Sequence, residues 1–527
     1  MNKLDLFLRD WTAKSKWKGK TIDEIMQIDD IPLWSFYHRS FTPHVMPKQL
    51  NTFSQIEKKE SLSSLQKILL PAKAKMLRKY LWWNEKKKIS YFRQKDINSA
   101  PGKKILFLSY TDHLTPQGTV FRLQQLINKV RQDEVYLPLV LFADPLSSSK
   151  YKKLLQHRTI YRYYTEEIAA IARSKSILLS KSWKDIPESA KKNLLKHEEM
   201  SLWPYLEPAF SFFFSHEFFY LTALYYEIAK KILQQEEIKA VVLTSQSGFF
   251  EKCFLAAASR LRPQIPVFQI QHGIGAGILD TTYATRRLIF SDYHKNELLS
   301  TGVKDKDLFI TGPIVFDEMY KYIKNRSFNP SLPEKSIART LLIITSPTVE
   351  DQVLSKEKYF QRIEHIISEM KAIPDLHLFL KLHPREKYIQ KYQEIIKDQG
   401  MQDRSAIVQH LPREEFYQQL QNCDAVLNFG STAGFEALIM DKPLLTIDIA
   451  DLRLSHKRET YCLLILENDA GINIPYQEDI APSIRKLFEE DHYWKQKRQE
   501  FIQKYCYKND GKASERAAKV IYSLISQ

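Results

Sequence analysis

Short apolar segments alternate with amphipathic segments twice along this chain, and that alternation restricts the fold more than any other feature. The first series contains the strand-like segments KKILFLSY, VYLPLVLFA, KAVVLTSQ and IPVFQIQHG. The second contains TLLIITSP, LHLFLKLHP, CDAVLNFGS and KPLLTIDI. Segments with apolar residues at helical spacing, such as VFRLQQLINKV and EKYFQRIEHIISEMKAI, separate these strands. The repeated order of strand, helix and strand predicts an α/β protein built on parallel sheets.

Two series of this kind predict two Rossmann-like lobes. The polar segment KNRSFNPSLPEKS, with two prolines, separates the two series, and Ser99-Ala100-Pro101-Gly102 precedes the first. We therefore predict a basic, partly helical N-terminal extension over residues 1–102, a first lobe over 103–328 and a second lobe over 329–527. In sheets of this class, ligands bind at the carboxyl ends of the strands.

The positive charge is concentrated in the N-terminal extension. The whole chain has a formal net charge of +16, and residues 1–104 hold 22 Lys and Arg against 10 Asp and Glu. Residues 67–95 contain ten basic residues and one acidic residue, Glu85, interleaved with aromatic residues such as Trp82 and Trp83. This mixture suits an anionic membrane surface. The alternatives are nucleic acid and a helix packed on its own domain; we predict membrane contact and no nucleic-acid partner.

Several classes of protein are excluded by what the sequence lacks. The chain has 4 scattered cysteines without CxxC spacing, which argues against a disulfide scaffold or a zinc cluster. It has no GxxxxGK[ST], HExxH or GxSxG motif, and no metal site is predicted. The N-terminus has acidic residues and no apolar core of a secretory signal. We expect a cytoplasmic protein, peripheral at the inner face of the cell membrane.

Two groups of candidate catalytic residues follow strands of the first series. His272 ends IPVFQIQH, and Gly273, Gly275 and Gly277 come after it. Glycines at this spacing let backbone N–H groups approach a bound anion closely. Asp112 and His113 follow KKILFLSY and form a candidate acid–base pair. A tight turn with a hydrogen-bonded histidine, or an ordinary polar loop, is the structural alternative for each group.

The second series carries two more candidate groups at strand ends. Lys381 and His383 close LHLFLKLHP, where a cation and an imidazole suit phosphate oxygens. In the next group a strand passes through a glycine turn into a helix, which predicts an anion site at the helix start. Its residues are Asn428, Gly430, Ser431, Thr432 and Glu436. Arg516, in DGKASER, is a further candidate for substrate binding, and helix capping is the alternative.

In this order, FQIQHG, LFITGPIVFDEM, FLKLHP, DAVLNFGSTAGFEALIMDKPLL and DGKASER resemble the GT-B glycosyltransferases. The nearer resemblance is to capsular polysaccharide transferases, bacterial polysialyltransferases and CDP-glycerol glycerophosphotransferases, over residues 103–527. It implies an acceptor in the first lobe, a nucleotide-activated donor mainly in the second, and neither metal nor cofactor. His272 and His383 match the site histidines of the glycerophosphotransferase branch. Ser431 and Thr432 match its Ser-Ser phosphate ligands, with Thr in place of the second Ser.

The resemblance implies transfer of a sugar or polyol phosphate from a CMP-, CDP- or UDP-linked donor to a glycan or lipid-linked acceptor. His272, or His113 with Asp112, would take the acceptor proton. His383, Lys381 and the Ser431–Thr432 turn, with Arg516, would stabilise the leaving phosphate.

Two alternatives remain at this stage. One is a non-hydrolysing UDP-N-acetylglucosamine epimerase, which would need a Gly-Thr-Arg-Pro-Glu-like start where this chain has SYTDHLTPQGT. The other is a non-catalytic, membrane-associated binding protein that uses the basic N-terminal segment.

Overall fold

The described part of the chain comprises most of both predicted lobes and two stretches of the N-terminal extension. The computed structural model describes residues 11–37, 64–93, 100–110, 114–115, 118–142, 158–197, 200–244, 248–261, 263–271, 273, 285–326, 339–350, 354–448, 465, 468–489 and 491–526. Of the predicted linker KNRSFNPSLPEKS, residues 324–326 are described and form the end of a helix, and residues 327–336 lie outside these ranges.

The first sheet has six strands. They are β1 (Lys104–Ser109), β2 (Leu137–Phe142), β3 (Ile238–Leu243), β4 (Val267–Ile270), β5 (Arg286–Ile289) and β6 (Leu308–Ile310). Their spatial order is β6-β5-β4-β3-β1-β2, and β1 pairs in parallel with both β2 and β3. All six residues of β1 are buried, as expected of an apolar strand covered on both faces. The chain order changes direction between β1 and β3, which is where such sheets open a crevice at the strand ends.

Besides helical residues at 11–14 and 34–37, nine helices accompany these strands in the described residues. They are α1 (Ile22–Ile25), α2 (Ser64–Phe92), α3 (Gln124–Asp133), α4 (Glu166–Asp185), α5 (Glu188–Leu194), α6 (Trp203–Phe213), α7 (His216–Gln235), α8 (Phe249–Arg260) and α9 (Asp292–Ser300). The apolar stretch from Ala209 to Ala229 forms parts of two helices, α6 and α7. The break follows from Ser215, whose side chain accepts the N–H of Phe218 at 3.3 Å and caps α7.

The N-terminal residues pack on α6 and α7. The ring of Trp34 stacks on Phe210 with a centroid distance of 6.1 Å. The Tyr37 hydroxyl lies 2.6 Å from the Thr222 hydroxyl, and both residues are buried. In α2, the ring of Trp82 meets Tyr220 edge-on at 4.9 Å. The described part of the predicted extension therefore contributes to the same apolar layer as α6 and α7.

The second sheet has six parallel strands. They are β7 (Arg339–Ile344), β8 (Leu376–Lys381), β9 (Ser405–Val408), β10 (Ala425–Asn428), β11 (Leu444–Asp448) and β12 (Ile472–Pro475). Their spatial order is β9-β8-β7-β10-β11-β12. Every pair of neighbours is parallel. Counted within the sheet this is the order 3-2-1-4-5-6 of a dinucleotide-binding Rossmann sheet, and the direction of winding reverses between β7 and β10.

Helices cover both faces of the second sheet. They are α10 (Asp317–Arg326), α11 (Lys356–Lys371), α12 (Ile389–Asp398), α13 (Arg413–Asn422), α14 (Ala433–Ile439), α15 (Ala481–Glu489) and α16 (Asp491–Tyr505), and α17 (Ala513–Ile525) follows them in the chain. Alternate residues of β7 enter different cores: Leu341 and Ile343 pack with α11 and α12, and Leu342 and Ile344 with α13 and α14. This alternation is the reason that the central strands are apolar throughout.

Short elements complete the described structure. Two-residue strands pair as antiparallel hairpins: Lys16–Trp17 with Lys20–Thr21, Gln27–Ile28 with Ile31–Pro32, and Lys196–His197 with Met200–Ser201. Single 3₁₀ turns occur at Ile160–Tyr163, Asp305–Asp307, Ile314–Phe316 and Gln402–Arg404.

The chain divides into two compact units. Unit 1 contains residues 1–270, 278–287 and 518–527, and unit 2 contains residues 271–277 and 288–517. The α/β fold with two Rossmann-like lobes is confirmed, and the boundaries predicted at 102/103 and 328/329 stay predictions. Among the described residues, no helix combines the length and apolarity that a membrane crossing requires.

Candidate functional site

The second sheet brings predicted residues together at the point where its winding reverses. In the register of the sheet, Ile344 at the end of β7 pairs with Lys381 of β8 on one side and Asn428 of β10 on the other. The two residues that follow β7 connect to both neighbours. Thr345 accepts the backbone N–H of His383 on its hydroxyl at 3.1 Å, and the Ser346 hydroxyl donates to the Phe429 carbonyl at 2.6 Å. Lys381, His383 and Asn428 therefore lie at one sheet edge.

Lys381 is held at this edge between an aromatic ring and carboxylates. Its ammonium lies 5.3 Å from the centre of the Phe416 ring. Burial lowers the pKa of Lys381, while the carboxylates of Glu436 and Glu386 act in the opposite direction. A partly desolvated ammonium of this kind attracts a phosphate more strongly than an exposed one does.

Glu436, predicted to bind the donor, is paired with a residue that the sequence analysis missed. Arg413, the first residue of α13, donates to the Glu436 carboxylate at 3.0 Å and to the Val315 carbonyl at 3.3 Å. Burial lowers the pKa of Arg413, but Glu436 and Tyr417 outweigh that effect and raise it. Arg413 and Glu436 are 23 residues apart and lie on different helices, so no helical spacing in the sequence predicts the pair. The pair forms because α13 packs beside α14.

The turn after β10 is built by Asn428 and Gly430. The Asn428 side chain accepts the N–H of Ser431 at 3.0 Å and donates to the Ser431 carbonyl at 3.1 Å. Gly430 has φ 74°, the left-handed conformation that glycine adopts without strain. A Cβ on Gly434 would lie 2.5 Å from the Asn428 amide nitrogen. Glycine at 434 is therefore what lets the Asn428 amide close the turn.

At the start of α14, Ser431 forms hydrogen bonds within the turn itself. Ser431 donates its N–H to Asn428, and its hydroxyl accepts the N–H of Ala433 at 3.3 Å. Thr432 occupies the N-cap position with helical dihedral angles and makes no side-chain capping bond. Two of the groups expected to meet a phosphate are thus engaged within the turn. Phosphate binding by Ser431 and Thr432 stays a prediction.

His383 is oriented by its own loop. Its Nδ1 accepts the backbone N–H of Arg385 at 3.2 Å, and the side chain is half-buried. An acceptor at Nδ1 means that the neutral imidazole carries its proton on Nε2. The predicted catalytic role of His383 is compatible with this tautomer, because Nε2–H is the donor that a phosphate oxygen would need.

Glu386, three residues after His383, is the second residue that the sequence analysis missed. It is only 7% exposed, and the Tyr392 hydroxyl donates to its carboxylate at 2.9 Å. Burial raises the pKa of Glu386 to about 7, although hydrogen bonds from Thr345 and Tyr392 oppose the shift. A carboxyl with this pKa exchanges its proton near neutral pH. The sequence signal was weak, since Glu in the motif HPRE looks like one more surface charge.

Arg516, predicted to bind the donor, makes its described contacts within unit 2 itself. Its guanidinium donates to the Thr311 carbonyl at 2.7 Å and to both carboxylate oxygens of Asp510 at 3.0 and 2.8 Å. These bonds fasten the loop before α17 to the turn after β6. The ligand-binding role of Arg516 stays a prediction.

The first sheet has its own reversal point, between β1 and β3. Gly248, at the start of α8, lies against the Tyr110 hydroxyl and the Glu251 carboxylate, and a Cβ at that position would overlap both. Glu251 is 2% exposed. Because residue 248 is glycine, Tyr110, which follows β1, and Glu251 of α8 can lie close together. The two residues are far apart in sequence, so the local segments LSYT and GFFE do not predict this contact.

The remaining candidates of the first series lie largely outside the described residues. They are Asp112, His113 and His272, whose catalytic roles stay predictions. Gly273 is described: its carbonyl accepts the Gln271 side chain at 2.8 Å, and the same side chain accepts the N–H of Phe290 at 2.9 Å. Gln271 thus connects the residues after β4 with those after β5.

Part of the chain matches a known protein family. Residues 280–522, somewhat less than half of the chain, match the family described as UDP-N-acetylglucosamine 2-epimerase. The match includes all of the second sheet and begins after β4. No curated protein matches the chain.

Solved structures with similar architecture include epimerases and a glycosyltransferase. The UDP-GlcNAc 2-epimerase of Neisseria meningitidis bound to UDP-GlcNAc is 12% identical, with a TM-score of 0.48 over 81% of this chain and 100% of that one. A putative UDP-N-acetylglucosamine 2-epimerase from Listeria monocytogenes is 12% identical, with a TM-score of 0.49 over 81% and 97%. A glycosyltransferase from Rickettsia africae is 11% identical, with a TM-score of 0.44 over 82% and 100%.

Proposed function

We propose that this chain is an enzyme that binds a UDP-linked sugar at the carboxyl edge of the second sheet. The observation that carries the proposal is that Lys381, His383 and Asn428 lie together at the carboxyl ends of β8 and β10, on either side of β7. Thr345 and Ser346, which follow β7, connect the segments after β8 and β10 at this reversal point. Ligands of Rossmann-like sheets bind at this kind of reversal point. The family match over residues 280–522 supports UDP over the CMP and CDP that the sequence analysis left open.

The chemistry of the edge suits a diphosphate. Lys381 supplies a partly buried positive charge, His383 an imidazole N–H, and Thr432, whose side chain makes no capping bond, a hydroxyl group. Glu436, held by Arg413, supplies a fixed acceptor for sugar or ribose hydroxyls. Neither a metal nor a cofactor has a role in this proposal.

For the reaction, we propose epimerisation at carbon 2 of a UDP-linked N-acetylamino sugar. The match to the 2-epimerase family is what favours it over the transfer reaction of the sequence analysis. Inverting carbon 2 requires a base that removes its proton while the bond from carbon 1 to UDP breaks and a double bond forms between the two carbons. A proton is then added to the other face of carbon 2 as UDP bonds to carbon 1 again.

A glycosyltransferase is the second candidate, and one observation favours it. The family match begins at residue 280, so β1 to β4 and the loop after β1 lie outside it. That loop reads SYTDHLTPQGT, where the epimerase would have a Gly-Thr-Arg-Pro-Glu-like segment. A loop after β1 that differs from that of the epimerases is compatible with an acceptor site there, and the acceptor would be a glycan or a lipid-linked sugar.

Product analysis separates the two reactions. The full chain is incubated with UDP-N-acetylglucosamine alone, and the sugar nucleotide is followed by proton NMR. Epimerisation gives the C2 epimer without any acceptor, whereas a transferase leaves the sugar nucleotide unchanged until a glycan or lipid-linked acceptor is added. A thermal-shift series with UDP, CDP, CMP and GDP accompanies it, because a ligand that binds only the folded state raises the unfolding temperature. If UDP gives no larger shift than the other three, the proposed nucleotide is wrong.

Lys381→Met tests the site itself. Loss of a charge-assisted contact to phosphate is expected to weaken UDP binding about 10- to 100-fold, measured by calorimetry. The matched control is His377→Ala, on the same strand but with an exposed side chain away from the carboxyl end. If Lys381→Met binds UDP as tightly as the control, the ligand does not occupy this edge.

A further inference from the structure

The outward side of α2 is apolar and basic, which is unusual for a helix on the surface of a protein. Among the described residues, five of the twelve large hydrophobic side chains that remain exposed lie between residues 76 and 91. They are Met76 (73% exposed), Leu77 (43%), Tyr80 (58%), Trp83 (59%) and Tyr91 (55%). Positions 76, 80, 83 and 91 recur at the spacing of one helical face. We call these five residues the α2 stripe.

The side of α2 opposite the α2 stripe packs against unit 1, so the stripe faces outward. Phe92 is 3% exposed and stacks on Tyr161, and Trp82 meets Tyr220. Glu85 is 5% exposed, and burial raises the pKa of its carboxyl. Apolar residues therefore lie on both sides of α2. Those on the inner side pack against unit 1, and the five residues of the α2 stripe stay exposed.

Lysines flank the α2 stripe. Lys75, Lys79, Lys86 and Lys87 are all exposed. The ammonium of Lys86 lies 5.1 Å from the Trp82 ring, and that of Lys87 lies 5.0 Å from the Trp83 ring. The one acidic residue of 67–95, Glu85, is turned inward. The outward surface of α2 between residues 75 and 93 therefore combines positive charge with tryptophan and tyrosine and contains no exposed carboxylate.

A basic cavity adjoins this surface. It has a volume of about 470 Å³, and its lining includes Trp82, Lys86, Arg93, Tyr164, Arg173 and Tyr220. Glu85 also lines the cavity, and its carboxylate lies 3.8 Å from the ammonium of Lys88. Arg93 is paired with Glu166 at 3.0 Å. With both carboxylates paired, the charges of Lys86 and Arg173 are in excess there. One helical turn beyond Arg173 in α4, Ile177 is 60% exposed and extends the apolar surface.

We propose that the α2 stripe and its flanking lysines dock this protein on an anionic phospholipid membrane, with a lipid phosphate entering the cavity beside Lys86 and Arg173. Tryptophan and tyrosine favour the level of the lipid headgroups, and lysines near an anionic surface are attracted to it. Nucleic acid would be attracted by the lysines, but exposed Met76 and Leu77 favour the hydrocarbon boundary of a bilayer. The proposal does not depend on the reaction that the second sheet supports.

Sedimentation of the full chain with vesicles tests the proposal. One set of vesicles is phosphatidylcholine alone, and the other is three parts phosphatidylcholine to one part phosphatidylglycerol. We expect binding to the anionic vesicles, weakened by salt because the charges are exposed. Lys79→Ala with Lys87→Ala should weaken it about 30-fold, the equivalent of two lysines at a charged membrane. Tyr80→Ser with Trp83→Ser should also weaken it, since the apolar contact is lost.

Matched controls separate this surface from general charge and exposure. Lys304→Ala with Lys306→Ala removes two exposed lysines elsewhere, and Tyr493→Ser removes an aromatic side chain that is 50% exposed. Circular dichroism and melting confirm that every variant is folded. Equal binding to both vesicle types, binding to neither, or stripe variants that bind like the controls would overturn the proposal. So would lysine-sensitive binding to duplex DNA without vesicle binding, which would assign the surface to nucleic acid.

Discussion

Glu386 gives this protein a pH dependence that a surface carboxylate would not. Its pKa rises to about 7 in the folded chain, from 4.5 when exposed, so the folded state holds a proton that the unfolded state releases. The free energy of unfolding should therefore fall as the pH rises from about 4.5 to about 7, by roughly 3 kcal/mol for this one group, and level off above that. The protein loses stability at high pH because the folded state must then bury the charged carboxylate of Glu386.

Glu386→Gln should remove that loss, because an amide still accepts the Tyr392 hydroxyl and carries no charge. Urea unfolding at about pH 5 and about pH 8 measures the difference. The variant should gain stability over the wild type on going to the higher pH. Glu394→Gln, an exposed carboxylate of α12, is the matched control. A difference between Glu386→Gln and the wild type that is the same at both pH values would contradict the assignment.

At the scale of elements, the start of α17 depends on a residue almost two hundred positions away in sequence. Asp317, 1% exposed at the start of α10, accepts the N–H groups of Ala513 and Ser514 at 3.0 and 2.7 Å. Burial raises the pKa of Asp317, and these hydrogen bonds act in the opposite direction. The sequence DGKASER is compatible with a cap from its own residues, but the N–H groups of Ala513 and Ser514 are capped from another helix.

Asp317→Ala should lower the free energy of unfolding by about 2 kcal/mol, since two buried N–H groups lose their acceptor. Asp317→Asn, which keeps one acceptor oxygen, should lose less. Denaturant unfolding measures both, and Asp305→Ala, at an exposed carboxylate paired with Lys295, is the control. If Asp317→Ala unfolds like Asp305→Ala, α17 does not depend on this cap.

At the scale of the whole molecule, the N-terminal residues belong to the core of unit 1. Trp11, Leu33, Phe36 and Tyr37 are at most 2% exposed, and Trp34 stacks on Phe210. Removing residues 1–100 would expose the aromatic surface of α6 and α7. We expect the shortened chain to aggregate or to lose cooperative melting, as judged by solubility and calorimetry. A soluble shortened chain with the melting temperature of the full one would show that these contacts contribute little.

The strands were predictable because burial of both faces leaves a local signal. Each strand of the central sheets is a short apolar run, and TLLIITSP or CDAVLNFGS shows it without reference to any neighbour. β12 was missed, since INIP at the edge of the sheet contains only two apolar side chains beside asparagine and proline. The residues at strand ends, Lys381, His383 and Asn428, were found for the same local reason.

The sequence by itself determined the fold class, the strand ends that hold candidate site residues and the basic, aromatic character of residues 67–95, because each of these properties depends on neighbours along the chain. The tertiary structure decided which of them meet. The order of the second sheet places Lys381 and Asn428 on either side of Ile344, and packing pairs Glu436 with Arg413 and gives Glu386 its raised pKa. It also decided which side of α2 faces solvent. Those outcomes depend on contacts between distant segments, and the burial and electrostatic energies of such contacts leave no local pattern in the sequence.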